Sequence, residues 1–147
     1  MALKPPAAQS FFEECVVKNN YTYNFSWLGR PIIQLPQDIV AFQDLVSAID
    51  PQLILETGIA HGGSLVLSAS MLCMQDLMHG RDPRASNTKV VGVDIDIRPH
   101  NRKALDEHPL RFKMELIEGS SMDPHIIQQV RSHADGVEQT LVPLDFI

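Results

Sequence analysis

The sequence predicts an α/β fold built around a mostly parallel β-sheet. Short apolar runs alternate along the chain with longer segments of helical length, a pattern typical of βαβ units with right-handed crossovers. Acidic residues and glycines follow these runs, at the strand ends where such sheets bind ligands. The 147 residues are enough for one domain, and 44% hydrophobic and 20% charged residues are typical of a globular protein.

The composition limits the partners of the chain. It has 12 Lys and Arg against 18 Asp and Glu, a net charge of −6, so we expect no general attraction to nucleic acid or anionic membranes. The cysteines, Cys15 and Cys73, are too few for a disulfide framework. Because no signal peptide is evident, and Glu56 and His61 interrupt the apolar stretch 53–74, we predict a cytoplasmic protein without a transmembrane segment.

Residues 1–37 are predicted to form an aromatic-rich extension that precedes a domain at 38–147. The first thirty residues show no clear periodicity, yet they hold six of the nine aromatic residues. We expect this group to pack on the core, and an interface or a lid is the alternative. The six aromatic residues are Phe11, Phe12, Tyr21, Tyr23, Phe25 and Trp27.

The domain begins with an amphipathic helix and a buried strand. Apolar residues at 39, 42, 46 and 49 predict a helix over 38–49, which an Asp-Pro pair ends. Leu53–Leu55 is short and wholly apolar, as is typical of a strand buried on both faces. A glycine-rich turn follows at 56–64. Residues 65–78 are apolar nearly all round, which predicts a covered helix.

The rest of the chain repeats this alternation. Asp123 is an expected helix N-cap, with a proline at the first helical position. A fourth strand is expected to begin near Val137 or Thr140 and to reach Asp145. The preceding elements are predicted as a surface loop at 79–87, a strand at Lys89–Asp94, a short helix at Asn101–Glu107, a third strand at 112–118 and a helix ending near His133.

The candidate site lies at the carboxyl ends of these strands, where open α/β sheets bind their ligands. Gly58 permits a positive φ and a ligand against bare backbone, and the pair Gly62 and Gly63 lets the next helix begin close to that ligand. Asp94 can accept hydrogen bonds from both hydroxyls of a ribose. The four segments of the candidate site are Glu56–Ser64, Asp94–Asp96, Glu118–Ser121 and Asp145.

The glycine spacing and a nearby carboxylate favour S-adenosylmethionine (SAM) over a dinucleotide. The glycines read G-x-x-x-G-G, whereas dinucleotide sites read G-x-G-x-x-G. Glu56 would repel a diphosphate. SAM has no phosphate, and its sulfonium and ammonium are cationic, so Glu56 can favour the cationic end while Asp94 holds the ribose. A nicotinamide or flavin site and a purely structural turn stay open as alternatives.

Four longer stretches resemble the cephalosporin hydroxylase and rhamnosyl O-methyltransferase family. The first reads NFSWLGRPIIQLPQD and the second ETGIAHGGS, and the likeness runs from about Tyr21 to Asp145. The third is GVDIDIRPHNR and the fourth LIEGSS. Their positions are 24–38, 56–64, 92–102 and 116–121.

The resemblance implies a class I methyltransferase fold, which is Rossmann-like and doubly wound, with SAM as cofactor and a magnesium ion. It implies methyl transfer to a small-molecule hydroxyl, on a sugar, glycolipid or natural product, and is compatible with a homo-oligomer. Asp145 would be a metal ligand, at the aspartate of the family's Leu-Asp-Ser-Asn-His-Thr-His string. The residues expected to bind the cofactor are Glu56, Gly58, Ala60, His61, Gly62, Gly63, Ser64, Asp94, Glu118, Gly119 and Ser120.

Two features depart from the family pattern. Leu144 and Asp145 are followed by Phe146 and Ile147 instead of Ser-Asn-His-Thr-His. Pro143 lies within an expected strand, where it removes a hydrogen-bond donor. We therefore expect an incomplete fold with about four strands, which binds SAM without turnover. The alternatives are a non-catalytic, partner-binding module and an iron-dependent hydroxylase, which needs two histidines and a carboxylate on one face.

Overall fold

The structure, a computed structural model, describes residues 7–138 and 140–141. In the described part of the chain, three short helical segments lead into a β-hairpin, after which strands and helices alternate. The helices are α1 (Ala7–Phe11), a π-helix (Phe12–Lys18), a 3-10 turn (Tyr21–Asn24), α2 (Pro36–Ile49), α3 (Gly63–Met78), α4 (Pro99–Asp106), a 3-10 turn (Arg111–Lys113) and α5 (Pro124–Ala134). The strands are β1 (Phe25–Trp27), β2 (Arg30–Ile32), β3 (Leu53–Thr57), β4 (Lys89–Asp94), β5 (Met114–Glu118) and β6 (Thr140–Leu141).

The main sheet is parallel and doubly wound. Its strand order is β5-β4-β3-β6, and all three pairings are parallel. The chain therefore adds β4 and β5 on one side of β3 and returns to place β6 on the other side. This reversal is the topological switch that marks ligand sites in open α/β sheets, and it confirms the predicted fold class.

Helices cover both faces of the sheet, because alternate strand residues point to opposite sides. Ile54, Val90 and Leu116 face a core formed with α2, α3 and α4. Leu53 and Val91 belong to a second core under α5. No helix among the described residues has the length and apolar character needed to cross a membrane.

Several predicted elements are confirmed almost to the residue. Lys89–Asp94 is a strand with the predicted bounds. The Asp123 carboxylate caps α5 by accepting from the backbone N–H of His125 at 2.8 Å. The third strand begins at Met114 and not at residue 112, because Arg111–Lys113 form a 3-10 turn. The fourth strand begins at Thr140, and its expected continuation lies outside the described residues.

The N-terminal segment contains a β-hairpin that the sequence did not predict. Leu28 and Gly29 connect β1 to β2 with φ of 44° and 87°, as in the tight turns that suit hairpins. Trp27 packs on the core and donates to the Ser70 hydroxyl at 3.0 Å. The expected packing of the aromatic group on the core is confirmed only in part, because the side chains of Phe11, Phe12 and Tyr23 are at least 50% exposed.

A buried polar cluster, which we call the Lys113 cluster, joins Lys113, Asp76, Ser86 and Thr88. The Lys113 ammonium is 1% exposed and lies 2.7 Å from the fully buried Asp76 carboxylate. It also donates to both side-chain hydroxyls and to the Thr88 carbonyl oxygen. The segment 79–87 was predicted as a surface loop. Its Ser86 hydroxyl nevertheless forms hydrogen bonds with both partners of a buried ion pair.

Candidate functional site

A cleft of about 310 Å³ opens at the carboxyl ends of β3, β4 and β5. This is the edge of the sheet at which the sequence predicted a ligand. Four of the predicted site residues line the cleft, namely Gly58, Asp94, Gly119 and Ser120. The other lining residues are Thr57, Val93, Ile95 and Ser121.

Two glycines give the cleft walls of bare backbone. The Gly58 N–H donates to the Val93 carbonyl at 2.8 Å, and the Gly119 N–H donates to the Asp94 carbonyl at 2.7 Å. These bonds continue the strand ladder one step beyond the sheet. Gly58 has a φ of 82°, which glycine adopts without strain. At Gly119 a methyl group would lie 2.5 Å from the Ile126 side chain, so a larger residue at this position would force that side chain to shift.

The Asp94 carboxylate organises the loops around the cleft. Its Oδ2 accepts from the backbone N–H groups of Ile59, at 2.7 Å, and Ala60, at 3.2 Å. Its Oδ1 accepts from the N–H of Asp96 at 3.1 Å. A carboxylate offers about four acceptor positions, so Oδ1 can still accept from a ligand hydroxyl.

Ile95 belongs to the predicted segment Asp94–Asp96, although the sequence analysis gave its side chain no separate role. It follows Asp94 directly, lines the cleft and is 74% exposed. Its side chain is therefore open to contact with a ligand in the cleft.

The turn between β3 and α3 is held by side chains from distant parts of the chain. The Arg30 guanidinium donates to the His61 carbonyl, with Nε at 2.9 Å. The Asn101 amide donates to the Ala60 carbonyl at 2.8 Å. Neither Arg30 nor Asn101 was predicted as a site residue, because each lies far from the turn in sequence and the contact depends on the fold.

The glycine pair in this turn is required by packing within the protein. A methyl group at Gly63 would collide with the backbone carbonyl of Pro31, so the hairpin rests directly on the start of α3. A methyl group at Gly62 would lie 2.7 Å from the Leu105 side chain. Packing is thus one reason for the glycine pair, and the interpretation from sequence, that the pair lets the helix begin close to a ligand, stays a prediction.

Glu56 and Ser64 pair with each other beside the cleft. Glu56 is 4% exposed, and the Ser64 hydroxyl, in the first turn of α3, donates to its carboxylate. This position at the N-terminus of a helix suits a negative charge. Glu118 lines a neighbouring cleft of about 560 Å³ together with Asp96.

Charge distinguishes the kinds of ligand that the cleft at Gly58 and Gly119 can take. Asp94 is the charged residue among its eight lining residues, which include no lysine, arginine or histidine. A phosphate would meet a carboxylate and no balancing cation, whereas a neutral sugar or a cation would be favoured. Within residues 7–138 and 140–141, no three His, Cys, Asp or Glu side chains come together as a metal site. The expected metal ligand Asp145 lies outside the described residues.

Comparison with known proteins identifies the family of the chain. The family described as Rhamnosyl O-methyltransferase/CmcI matches residues 19–146. The Rhamnosyl O-methyltransferase of Mycobacterium leprae (strain TN) is 28% identical over 113 residues, covering 76% of this chain and 43% of that protein.

Solved structures of CmcI share the fold. An apo-structure of CmcI aligns with a TM-score of 0.55 and 17% identity, covering 99% of this chain and 55% of that chain. A CmcI structure with Mg-SAM aligns with a TM-score of 0.50 and 18% identity, covering 87% and 50% of the two chains. The chain thus spans about half the length of the relatives it matches. With a family match over most of its residues and a partial Rossmann-like sheet, the chain belongs to the Rhamnosyl O-methyltransferase/CmcI family.

Proposed function

We propose that the cleft at Gly58, Asp94 and Gly119 binds SAM, and that the chain carries the methyl-donor site of an O-methyltransferase. The observation that carries the proposal is a strand-end carboxylate between two stretches of bare backbone, with no cation in the lining. This combination suits a nucleoside without phosphates. The names of the relatives, an O-methyltransferase and a Mg-SAM structure, support the same choice.

The residues of the cleft fit the parts of SAM. The volume of about 310 Å³ is at the lower end of the range of about 300–1,000 Å³ for small-molecule pockets. The open Oδ1 position of Asp94 can accept from a ribose hydroxyl, and Ile95 offers an apolar surface to the adenine ring. Gly119 and Ser120 lie beside the adenosine, and Gly58 lies where the methionine part enters.

The other predicted residues lie outside the lining of the cleft. Ala60, His61, Gly62 and Gly63 shape the turn, and the Ser64 hydroxyl donates to the buried Glu56 carboxylate. A buried carboxylate next to this turn would favour the cationic end of the cofactor. Glu118, in the neighbouring cleft, is proposed to lie on the adenosine side.

When bound, SAM would supply an electrophilic methyl group for the acceptor oxygen; the bond from methyl to sulfur would break, S-adenosylhomocysteine would leave, and the hydroxyl proton would pass to solvent. The chain's own residues bind and orient the donor. We propose a small-molecule hydroxyl as acceptor. The name of the Mycobacterium leprae relative, Rhamnosyl O-methyltransferase, supports a rhamnosyl sugar over a natural product of another kind. A magnesium ion with Asp145 as ligand is proposed from the family alone, and no step is assigned to it.

Calorimetric titration with S-adenosylhomocysteine, the demethylated product, tests the proposal. Ile95→Ala removes the apolar surface while leaving the fold intact, because Ile95 is 74% exposed, so affinity should fall about tenfold, or about 1.4 kcal/mol. Met78→Ala is the matched control, since Met78 is 70% exposed at the far end of α3. Equal affinities in both variants, or no binding by the unaltered chain, would refute the site.

A further inference from the structure

The turn that borders the proposed cofactor cleft has a shape that its own sequence does not favour. Ala60 adopts a φ of 46°, a left-handed conformation that residues with a side chain seldom adopt. Ile59 and Gly62 close the turn with one backbone hydrogen bond of 2.7 Å. A turn of this kind keeps its shape only when surrounding groups hold it.

Three side chains supply that restraint, and each binds a different backbone group. Asp94 holds the N–H groups of Ile59 and Ala60 from the β4 side. Asn101, which is 3% exposed on α4, holds the Ala60 carbonyl at 2.8 Å. Arg30, on β2 of the hairpin, donates to the His61 carbonyl.

Arg30 and Asn101 also bind each other. Arg30 Nη2 donates to the Asn101 side-chain oxygen at 2.8 Å, while Nε and Nη2 both reach the His61 carbonyl. The hydrogen bonds of this one guanidinium therefore connect the hairpin to both α4 and the turn. A lysine in its place would be a point charge that cannot hold the same fixed geometry.

The hairpin has little freedom to move without moving the turn. Gly63 lies against the Pro31 backbone, at a contact too close for any Cβ atom. Ile32, at the end of β2, is 1% exposed in the core. The hairpin and the first turn of α3 are thus packed as one unit, with Arg30 as its polar link to the cleft.

We propose that Arg30 is a positioning residue for the methyl-donor site, which couples docking of the N-terminal hairpin to cofactor binding. This inference rests on the proposed function. Arg30 acts through the His61 carbonyl and Asn101, which fix the turn that follows Gly58 and whose N–H groups orient the Asp94 carboxylate. Because coupling is reciprocal, a bound cofactor should also stabilise the docked hairpin.

The experiment compares two arginine variants of the full chain. Arg30→Gln removes the fork at the turn. Arg81→Gln is the matched control, because Arg81 also bonds through Nε and Nη2, to Asp76 and Asp50, and follows the opposite end of α3. Both variants should lower the thermal midpoint, so a general structural role predicts similar behaviour for the two.

Affinity for S-adenosylhomocysteine, measured well below both midpoints, separates a positioning role from a structural one. We expect Arg30→Gln to weaken binding at least tenfold and Arg81→Gln to weaken it less than twofold. Arg30→Lys should weaken binding more than twofold but less than Arg30→Gln does, and it serves as the test variant if Arg30→Gln does not fold. Binding by either Arg30 variant that equals binding by Arg81→Gln would overturn the proposal.

Hydrogen exchange supplies a readout that needs no ligand. In Arg30→Gln, amides of the turn at 59–62 should exchange at least tenfold faster than in wild type, and in Arg81→Gln they should not. In wild type, S-adenosylhomocysteine should slow exchange in the hairpin at 25–32. If the unaltered chain binds no S-adenosylhomocysteine, the proposed function fails, while unchanged turn exchange in Arg30→Gln separately overturns the positioning role.

Discussion

The substitution Lys113→Met tests whether the Lys113 cluster is essential to the fold. It keeps most of the apolar stem but removes the ammonium from an Asp76 carboxylate that is 0% exposed. Asp76 would keep its bonds from Arg81, Ser86 and Thr88. Removing one partner of a buried ion pair typically costs about 3–5 kcal/mol, because the other charge stays buried. Since these bonds remain, we expect a loss near the lower end, about 3 kcal/mol.

The same cluster makes stability depend on pH in a defined direction. Burial raises the pKa of Asp76, but hydrogen bonds from Lys113, Ser86, Arg81 and Thr88 outweigh it and lower that pKa from 3.8 to about 2. A group whose pKa is lower in the folded state stabilises the fold above its unfolded pKa. At about 1.4 kcal/mol per tenfold change in proton affinity, Asp76 contributes about 2 kcal/mol above pH 4, which is lost as pH falls toward 2.

Urea unfolding followed by circular dichroism and by the fluorescence of Trp27, the single tryptophan, measures these effects. Lys113→Met should lose about 3 kcal/mol at pH 7 and show a smaller acid-dependent loss between pH 4 and 2. Lys103→Met is the control, because that side chain is 75% exposed, and its change should stay within about 0.5 kcal/mol. If both variants lose a similar free energy of unfolding, the buried ion pair does not stabilise the fold as expected.

Three further changes probe the site and the hairpin. Asp94→Asn should weaken S-adenosylhomocysteine binding about 10- to 100-fold in calorimetry, since a hydrogen bond to a charged group contributes about 1.5–3 kcal/mol; unchanged affinity would place the ribose elsewhere. Gly63→Ala should cost about 3 kcal/mol in urea unfolding, and Gly92→Ala only about 1, because the new methyl meets the Pro31 backbone in the first case and movable side chains in the second. Trp27→Phe should cost about 1 kcal/mol by circular dichroism, through loss of its bond to the Ser70 hydroxyl, and no loss would contradict that bond.

Elements whose signals are local could be predicted from the sequence. Lys89–Asp94 is an apolar run that ends in a carboxylate, and α5 has an aspartate cap followed by a proline, so both were identified with nearly correct bounds. The hairpin strands, β1 and β2, have only 3 residues each, which is too short for an apolar–polar alternation to identify them. Its structure depends on docking against α3, and this contact between distant segments is not visible in a short window of sequence.

The candidate site likewise contains residues that could be predicted from local sequence and residues that could not. Gly58 and Asp94 could be predicted because their positions at strand ends are defined locally. Arg30 and Asn101 meet the turn across 31 and 41 residues of sequence, so their contacts depend on the assembled fold. The burial of Lys113 against a carboxylate 37 residues away also follows from tertiary packing, which no composition or periodicity indicates.

NMR titration can locate the methyl-donor site within the sheet. The ¹⁵N-labelled chain is titrated with S-adenosylhomocysteine, and the amide chemical shifts show whether it binds in the cleft at the ends of β3, β4 and β5. We expect saturable shifts concentrated at Gly58, Ile95 and Gly119. An absence of shifts, or shifts centred on Leu55, Ile127 and Val130 in the adjoining apolar groove, would show that the cofactor does not bind in this cleft.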